Sequence, residues 1–437
     1  MTILIVLFCI LLLVVLITWG KINSFLAFLV VSLLAGWLLG IPLTKVVHSV
    51  QQGIGDVLGS LVVIICLGAM LGKLVAESGA AQRITSTLRG AFGEKNIQWA
   101  LMVTGFIVGL PLFFDVSFVL MIPLVFSVVY QYKLPAVYVG LPMMAALSVT
   151  HGFLPPHPAP ASLVAQFNAN MGLTLLYGLA IAIPAVILAG PVFAQTLKGI
   201  KSTPLQTFLP KNIPEEKMPG FANSFITSLL PVLLLIISTL ITFINIRSEY
   251  VRSIFSFFGN PVVVMLIALT VATFTLGIGM GRKMTDIMNH YADAVKDISL
   301  ILLIIAGAGA LKQVFIDSGV NQQVAASLNG LSINPLILGW LIAAVIRVCV
   351  GSATVAGLTA ASIVAPILIQ THTNPNLMVL AVGAGSLMFS HVNDGGFWLF
   401  KEYFNITVKE TFLSWSLMET IISVAGLAGV MILHLFL

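Results

Sequence analysis

Apolar runs of about 20 residues recur along the whole chain, separated by short polar or Gly/Pro-rich stretches, which is the pattern of membrane-spanning helices. Spans are expected at 3–19, 24–42, 58–76, 134–152, 173–195, 222–245, 260–280, 298–316, 376–392 and 412–436. Two longer regions, 97–130 and 335–370, read as helical pairs. Their centres, Gly109-Leu-Pro-Leu-Phe-Phe-Asp-Val-Ser117 and Gly351-Ser-Ala-Thr-Val-Ala-Gly357, are polar or Gly-rich, so the preferred reading is a re-entrant hairpin in each. The longest polar stretch, 198–219, carries Lys198, Lys201, Lys211, Glu215, Glu216 and Lys217. It divides the chain into a first transmembrane repeat (1–200), a cytoplasmic linker (201–221) and a second transmembrane repeat (222–437).

One apolar run ends in a segment that cannot stay helical. In Ser148-Val-Thr-His-Gly-Phe-Leu-Pro-Pro-His-Pro-Ala-Pro-Ala-Ser162, Pro155, Pro156, Pro158 and Pro160 remove amide donors and clash with the preceding turn. Backbone groups freed at membrane depth need partners, so such a break belongs inside protein or beside a polar cavity. His151, His157, Ser148, Thr150 and Ser162 cluster there. Ser390-His-Val-Asn-Asp-Gly-Gly396 is its counterpart, also straight after an apolar run. Paired discontinuous helices of this kind hold binding sites in secondary transporters.

The halves match over a longer range. Gly72 to Arg83 aligns with Lys312 to Gln323, and Leu88 with Leu328 at the same offset. Trp99 falls near Trp340, Pro123 near Pro366, His151 on His391, and Phe167-Asn168 on Phe404-Asn405, which indicates duplication. Each half holds five spans and one pair, an odd count, so the second copy should be inverted. With the N-terminus outside, fourteen basic residues fall inside (Lys21, Arg83, Arg89, Lys95, Lys133, Lys198, Lys201, Lys211, Lys217, Arg282, Lys283, Lys296, Lys401, Lys409). Three fall outside (Lys45, Arg247, Arg252), and that asymmetry follows the positive-inside rule. Both termini are therefore expected on the outer face.

Composition removes the competing classes. The 437 residues are 59% hydrophobic and 8% charged, against about 25% charged in soluble domains. The fold class is an all-α polytopic membrane protein of two inverted repeats, each with about five spanning helices, one re-entrant helical hairpin and a broken helix. The alternation of a membrane barrel is absent. Net charge +5 does not signal nucleic acid, because the basic residues are scattered between apolar segments. Cys9, Cys66 and Cys349 all lie in apolar runs, so neither a disulfide framework nor a metal cluster is expected. Met1 to Trp19 has no basic leader or small-residue cleavage site and reads as a retained first span.

Ionisable groups at membrane depth are costly and therefore candidates for function. Asp115, Asp394 and Glu419 are candidate proton carriers, since a carboxyl removed from water holds its proton more tightly. Each has a structural alternative: a cap for Asp115 and Asp394, a buried packing partner for Glu419. Arg347 could meet a substrate carboxylate bidentately or neutralise an acid across an interface. Ser352 and Thr354 sit where a hairpin tip could present N–H groups to an anion, although small residues there also suit close packing. Lys73 and Lys312 sit near span ends and are expected to snorkel. His48, His290, His372 and His434 look peripheral.

Thr150-His-Gly-Phe-Leu-Pro-Pro-His-Pro158, Gly351-Ser-Ala-Thr-Val-Ala356, Ser390-His-Val-Asn-Asp394 and Gly396-Phe-Trp-Leu-Phe-Lys-Glu-Tyr-Phe-Asn405 resemble the bacterial gluconate permease family, as do Gly68-Ala-Met-Leu-Gly-Lys73 and Ala81-Gln-Arg83. The resemblance runs over essentially the whole chain. It implies a proton-coupled importer of gluconate or a related sugar acid in the bacterial inner membrane, without a cofactor, and a homodimer by superfamily likeness. Members near the gluconate importers usually have Gly-Pro at Ala159-Pro160, Asn-Asp-Pro-Gly at Asn393 to Gly396, and glutamate at Asp115. Relatives carry idonate, fructuronate, glycerate or D-serine, so the resemblance leaves the particular acid open.

The expected mechanism is alternating access about a site between the hairpin tips and the broken helices. The carboxylate would meet Ser352, Thr354 and tip N–H groups, with Arg347 near. Hydroxyls would meet His151, His157, Ser390, His391 and Asn393, and Asp115 or Asp394 would carry the proton. Two other classes compete: a sodium-coupled dicarboxylate or other organic-anion carrier, and an intramembrane metal-dependent hydrolase. The second lacks a His-Glu-x-x-His motif.

Overall fold

A computed structural model describes residues 2–84, 96–109, 114–155, 157–205, 213–242, 248–320, 322–323, 333–371 and 373–437. Residues 110–113 of the first hairpin centre, Pro156, Leu88, Leu328, His372 and the basic residues Arg89, Lys95, Lys211 and Arg247 lie outside them. The first half contains α1 (Thr2–Thr18), α2 (Ser24–Leu38), α3 (Leu43–Ser78), α4 (Ile97–Gly109), α5 (Phe114–Tyr132), α6 (Ala136–Phe153), α7 (Pro158–Gln166) and α8 (Met171–Leu197). The second contains α9 (Phe221–Thr242), α10 (Glu249–Phe258), α11 (Pro261–Met280), α12 (Met284–Asp317), α13 (Pro335–Val350), α14 (Ala353–Thr371), α15 (Pro375–Gly385), α16 (Gly395–Phe404) and α17 (Val408–His434). Six of these, α3, α6, α8, α11, α12 and α17, are long and apolar enough to cross a membrane.

Helix starts follow local chemistry. Asn23, Asn170, Asn334 and Asn374 cap α2, α8, α13 and α15 by accepting from backbone N–H groups of the first turn. Proline stands in the first turn of α7, α11, α13 and α15, where its missing donor costs nothing. α10 was not expected from the sequence; it is a ten-residue amphipathic helix with no buried residue, capped by Ser248.

The two longest helices pack against each other. α3 has 36 residues and α12 has 34, both well beyond the expected spans at 58–76 and 298–316. They cross backbone to backbone at Gly53 and Gly309, where a Cβ on Gly53 would come within 2.3 Å of Gly309 O and one on Gly309 within 2.6 Å of Gly53 O. Each also packs on a helix of the other half, α12 on α2 and α3 on α11.

The helical pairs are short. α4 has 13 residues, about 20 Å of helix against the roughly 30 Å of a bilayer core. α13 has 16 residues and turns at Gly351, φ +77°, directly into α14. A side chain at Gly351 is excluded twice, by its left-handed backbone and by Asn393 O, which lies 2.2 Å from where a Cβ would be.

The first broken helix opens at the expected prolines, and the second opens earlier than expected. In the first half α6 persists to Phe153, and Leu154, Pro155 and His157 are non-helical before Pro158 starts α7. In the second half α15 ends at Gly385 rather than continuing to 392, leaving 386–394 unwound. Phe389 within it adopts φ +44°, a strained value for a bulky residue, held by stacking on Phe412. The linker is not a free strand: Tyr130 donates to Pro204 O at 2.7 Å, and Leu205 N to Tyr403 O at 3.3 Å.

Candidate functional site

The α13–α14 turn, the N-terminus of α5, the ends of α6 and α15–α16, and the middle of α17 converge on one cavity of about 410 Å³. Asp115, Ser148, His151, Arg347, Ser352, Thr354, Asn393, Asp394 and Glu419 all line it, drawn from positions up to 304 residues apart (419 − 115). α3 and α12 close the other side through Val57, Leu61, Ile305, Ala308, Gly309 and Lys312. The structure thus brings these residues of the tip and the breaks, from both halves of the chain, to one cavity.

Asp394 is the most heavily engaged acid. Its Oδ2 accepts from Arg347 Nη2 and from Ser390 Oγ, and its Oδ1 caps α16 by accepting from Gly396 N at 3.2 Å. Ser390 Oγ in turn accepts from Trp415 Nε1 at 2.7 Å, and Ser390 O from Ser416 Oγ at 2.5 Å, so α17 clamps the unwound stretch. Arg347 is buried, and its Nε and Nη1 make no hydrogen bond. Of the two roles open to Arg347 from the sequence, this geometry realises neutralisation of an acid across an interface.

The unwound stretch is also tied to α13. His391 Nε2 and Asn393 Nδ2 both donate to Val348 O, each at 2.8 Å. That carbonyl belongs to the last turn of α13, which has no helical partner for it, so the two side chains satisfy an orphan acceptor. Asn393 Oδ1 and His391 Nδ1 are left buried without a partner. Neither Ser390 nor His391 faces the cavity; both stand one layer behind it, fixing Asn393 and Asp394.

The first break is built differently. His151 Nδ1 and His157 Nε2 lie 3.2 Å apart across it, so one ring donates to the other. The prolines that keep the two histidines off one helix face do not keep them apart in space. His151 reaches the cavity and His157 lies behind it. Ser148 donates to Glu419 Oε1 at 2.6 Å, while Glu419 Oε2 is buried without a partner. Thr150 turns back to Leu147 O at 2.9 Å and Ser162 is exposed, so neither joins the cavity.

Ser352 lines the cavity and also starts α14, where Val355 N donates to its Oγ at 3.4 Å. Ser352, Ala353, Thr354 and Val355, at the start of this 19-residue helix, all line the cavity, and a helix N-terminus attracts anions. Asp115 lies on the wall in the first turn of α5, and among the described residues no hydrogen bond reaches its carboxyl.

Lys312 corrects the sequence reading. It was expected to snorkel at a span end, yet α12 extends to Asp317 and Lys312 lies on the cavity side, half-buried. Ala306-Gly-Ala-Gly-Ala310, ending two residues before Lys312, suits a close helix crossing but does not say which helix crosses there.

Comparison with known proteins shows the family. The family model described as GntP family permease matches residues 1–436. A high-affinity gluconate transporter of Escherichia coli K12 is 50% identical over 416 residues, covering 95% of each chain. The Gnt-II system L-idonate transporter of the same organism is 48% identical, covering 97% of each. A gluconate permease of Bacillus subtilis 168 is 46% identical, covering 95% of each. With this match along its length and its apolar helices, the chain belongs to the GntP permease family: it is a multi-pass membrane transporter and not an enzyme.

Proposed function

We propose that the protein imports gluconate or a related sugar acid by proton symport, through alternating access about the central cavity. One observation carries the reading: a cavity large enough for a six-carbon acid is lined by three carboxyls, Asp115, Asp394 and Glu419, against two cations, Lys312 and Arg347. An anion entering such a cavity adds to an acid excess in a medium that screens poorly. Taking up a proton with the anion removes that penalty, which is the physical basis of symport.

Of the three carboxyls, Asp115 is the one we assign to the moving proton. Asp394 is held by Arg347, Ser390 and Gly396 N, and its charge supports the fold. Glu419 is fastened to Ser148. Asp115 is open to the cavity from the hairpin that would move. The substrate's carboxylate is placed at the first turn of α14, with Ser352 and Thr354. Its hydroxyls are placed at His151, Asn393 and Glu419, while His157, Ser390, His391 and Arg347 hold those groups in position.

The names of the relatives support the substrate class, since their printed activities concern gluconate and L-idonate. The repeat order supports an inverted architecture, with α1–α8 corresponding to α9 and α11–α17, re-entrant hairpins at α4–α5 and α13–α14, and both termini outside. The test is internal pH in proteoliposomes given external gluconate under a negative-inside potential without sodium. Acidification that requires the protein is expected. Sodium-dependent uptake without proton movement would replace symport with sodium coupling, and uptake of neither gluconate nor a related sugar acid would remove the substrate assignment.

A further inference from the structure

We propose that Lys312 is the residue that selects for a carboxylate, by pairing directly with the anionic end of the substrate. This deepens the functional reading above and rests on it. The cavity holds two cations, and they are not equivalent. Arg347 is already neutralised by Asp394, and its two remaining nitrogens with no partner are buried away from the open space. Lys312 is half-buried on the cavity wall, and the salt bridges of the described residues do not include it.

Asp115 shares the cavity with Lys312 but forms no salt bridge to it, so once Asp115 takes up a proton the ammonium at membrane depth is held at a cost unless an anion or water meets it. The mobile anion that this cavity admits is the substrate. Lys312 lies one turn beyond the Gly53–Gly309 crossing, on the side of α12 that lines the cavity. The matching position of the first half is Gly72, which lines a separate, apolar cleft. Duplication therefore placed one cation at one of two equivalent sites, which suits a single-carboxylate ligand. From α12, the ammonium meets the same cavity as the first turn of α14, so a carboxylate can be shared between Lys312 and that helix N-terminus.

The experiment measures uptake and binding of gluconate, and of the uncharged polyol glucitol as competitor, in wild type, Lys312→Gln and Lys312→Arg. For Lys312→Gln, the KM for gluconate is expected to rise about 30-fold or more, with the maximal rate changed far less. Competition by glucitol should be unchanged, because the hydroxyl contacts remain, and Lys312→Arg should recover part of the loss. A residue that only supports packing would weaken gluconate and glucitol together. A Lys312→Gln protein with a gluconate KM within twofold of wild type overturns the proposal while leaving symport intact. Failure of wild type to take up any sugar acid would instead overturn the functional reading beneath it. Should Lys312→Gln not fold, acetylation of Lys312 in the wild-type protein, read by mass spectrometry, gives the same answer: gluconate should protect it and glucitol should not, and equal labelling with and without gluconate would reject the assignment.

Discussion

Arg347 donates from Nη2 to Asp394 Oδ2, and that pair joins the last turn of α13 to the start of α16, 47 positions further along the chain. Side-chain exposure is 4% for Arg347 and 17% for Asp394, so the pair is largely removed from solvent. Removing one partner from such a pair leaves an uncompensated buried charge, which costs more than the pair contributes.

Asp394→Asn should therefore lower stability by about 3 kcal/mol or more. The double variant Arg347→Gln with Asp394→Asn should recover part of that loss. Thermal unfolding of the four proteins in detergent gives the cycle. Simple additivity of the two single effects would show that the pair is not coupled.

Gly351→Ala should be among the most damaging single-methyl changes in the chain. The added Cβ would stand 2.2 Å from Asn393 O, and φ is +77°. The turn between α13 and α14 would have to move off the unwound stretch, at a cost of roughly 1–3 kcal/mol for the backbone alone. Loss of uptake together with a lowered melting temperature is expected. Retention of both would mean that the tip and Asn393 are not in contact during transport.

Ser148→Ala should weaken the protein by about 1–3 kcal/mol, because it strips the hydrogen bond from Glu419 and leaves both carboxyl oxygens without a donor. Ser148→Thr keeps the hydroxyl and should lie closer to wild type. Chemical denaturation in micelles compares the two, and equal stability of the alanine and threonine variants would remove the bond from the account.

Asp115→Asn should separate substrate exchange from proton coupling. Exchange of labelled for unlabelled gluconate at equal concentrations should persist, while a pH gradient should no longer drive accumulation. If gradient-driven accumulation survives, Asp115 is not the carrier, and Glu419→Gln becomes the next variant to measure.

The apolar spacing alone determined that this is a helical membrane protein, because a bilayer imposes a length and a polarity on every span and both are written locally. The prolines of 155–160 and the glycines of 351 and 395–396 likewise marked where helices open, since their backbone limits do not depend on what surrounds them. Roles within the site were a different matter. Whether Arg347 faced a substrate or an acid, and whether Lys312 faced lipid or the cavity, depended on partners far away in the chain. Asp394 lies 47 positions from Arg347, and Gly53 lies 256 (309 − 53) from the Gly309 it meets. The early end of α15 at Gly385 was equally hidden, because Trp415 and Ser416 of α17 supply the hydrogen bonds that the unwound backbone and Ser390 would otherwise lack. Charge at membrane depth takes its meaning from the group it touches, and only the packed structure decides which group that is.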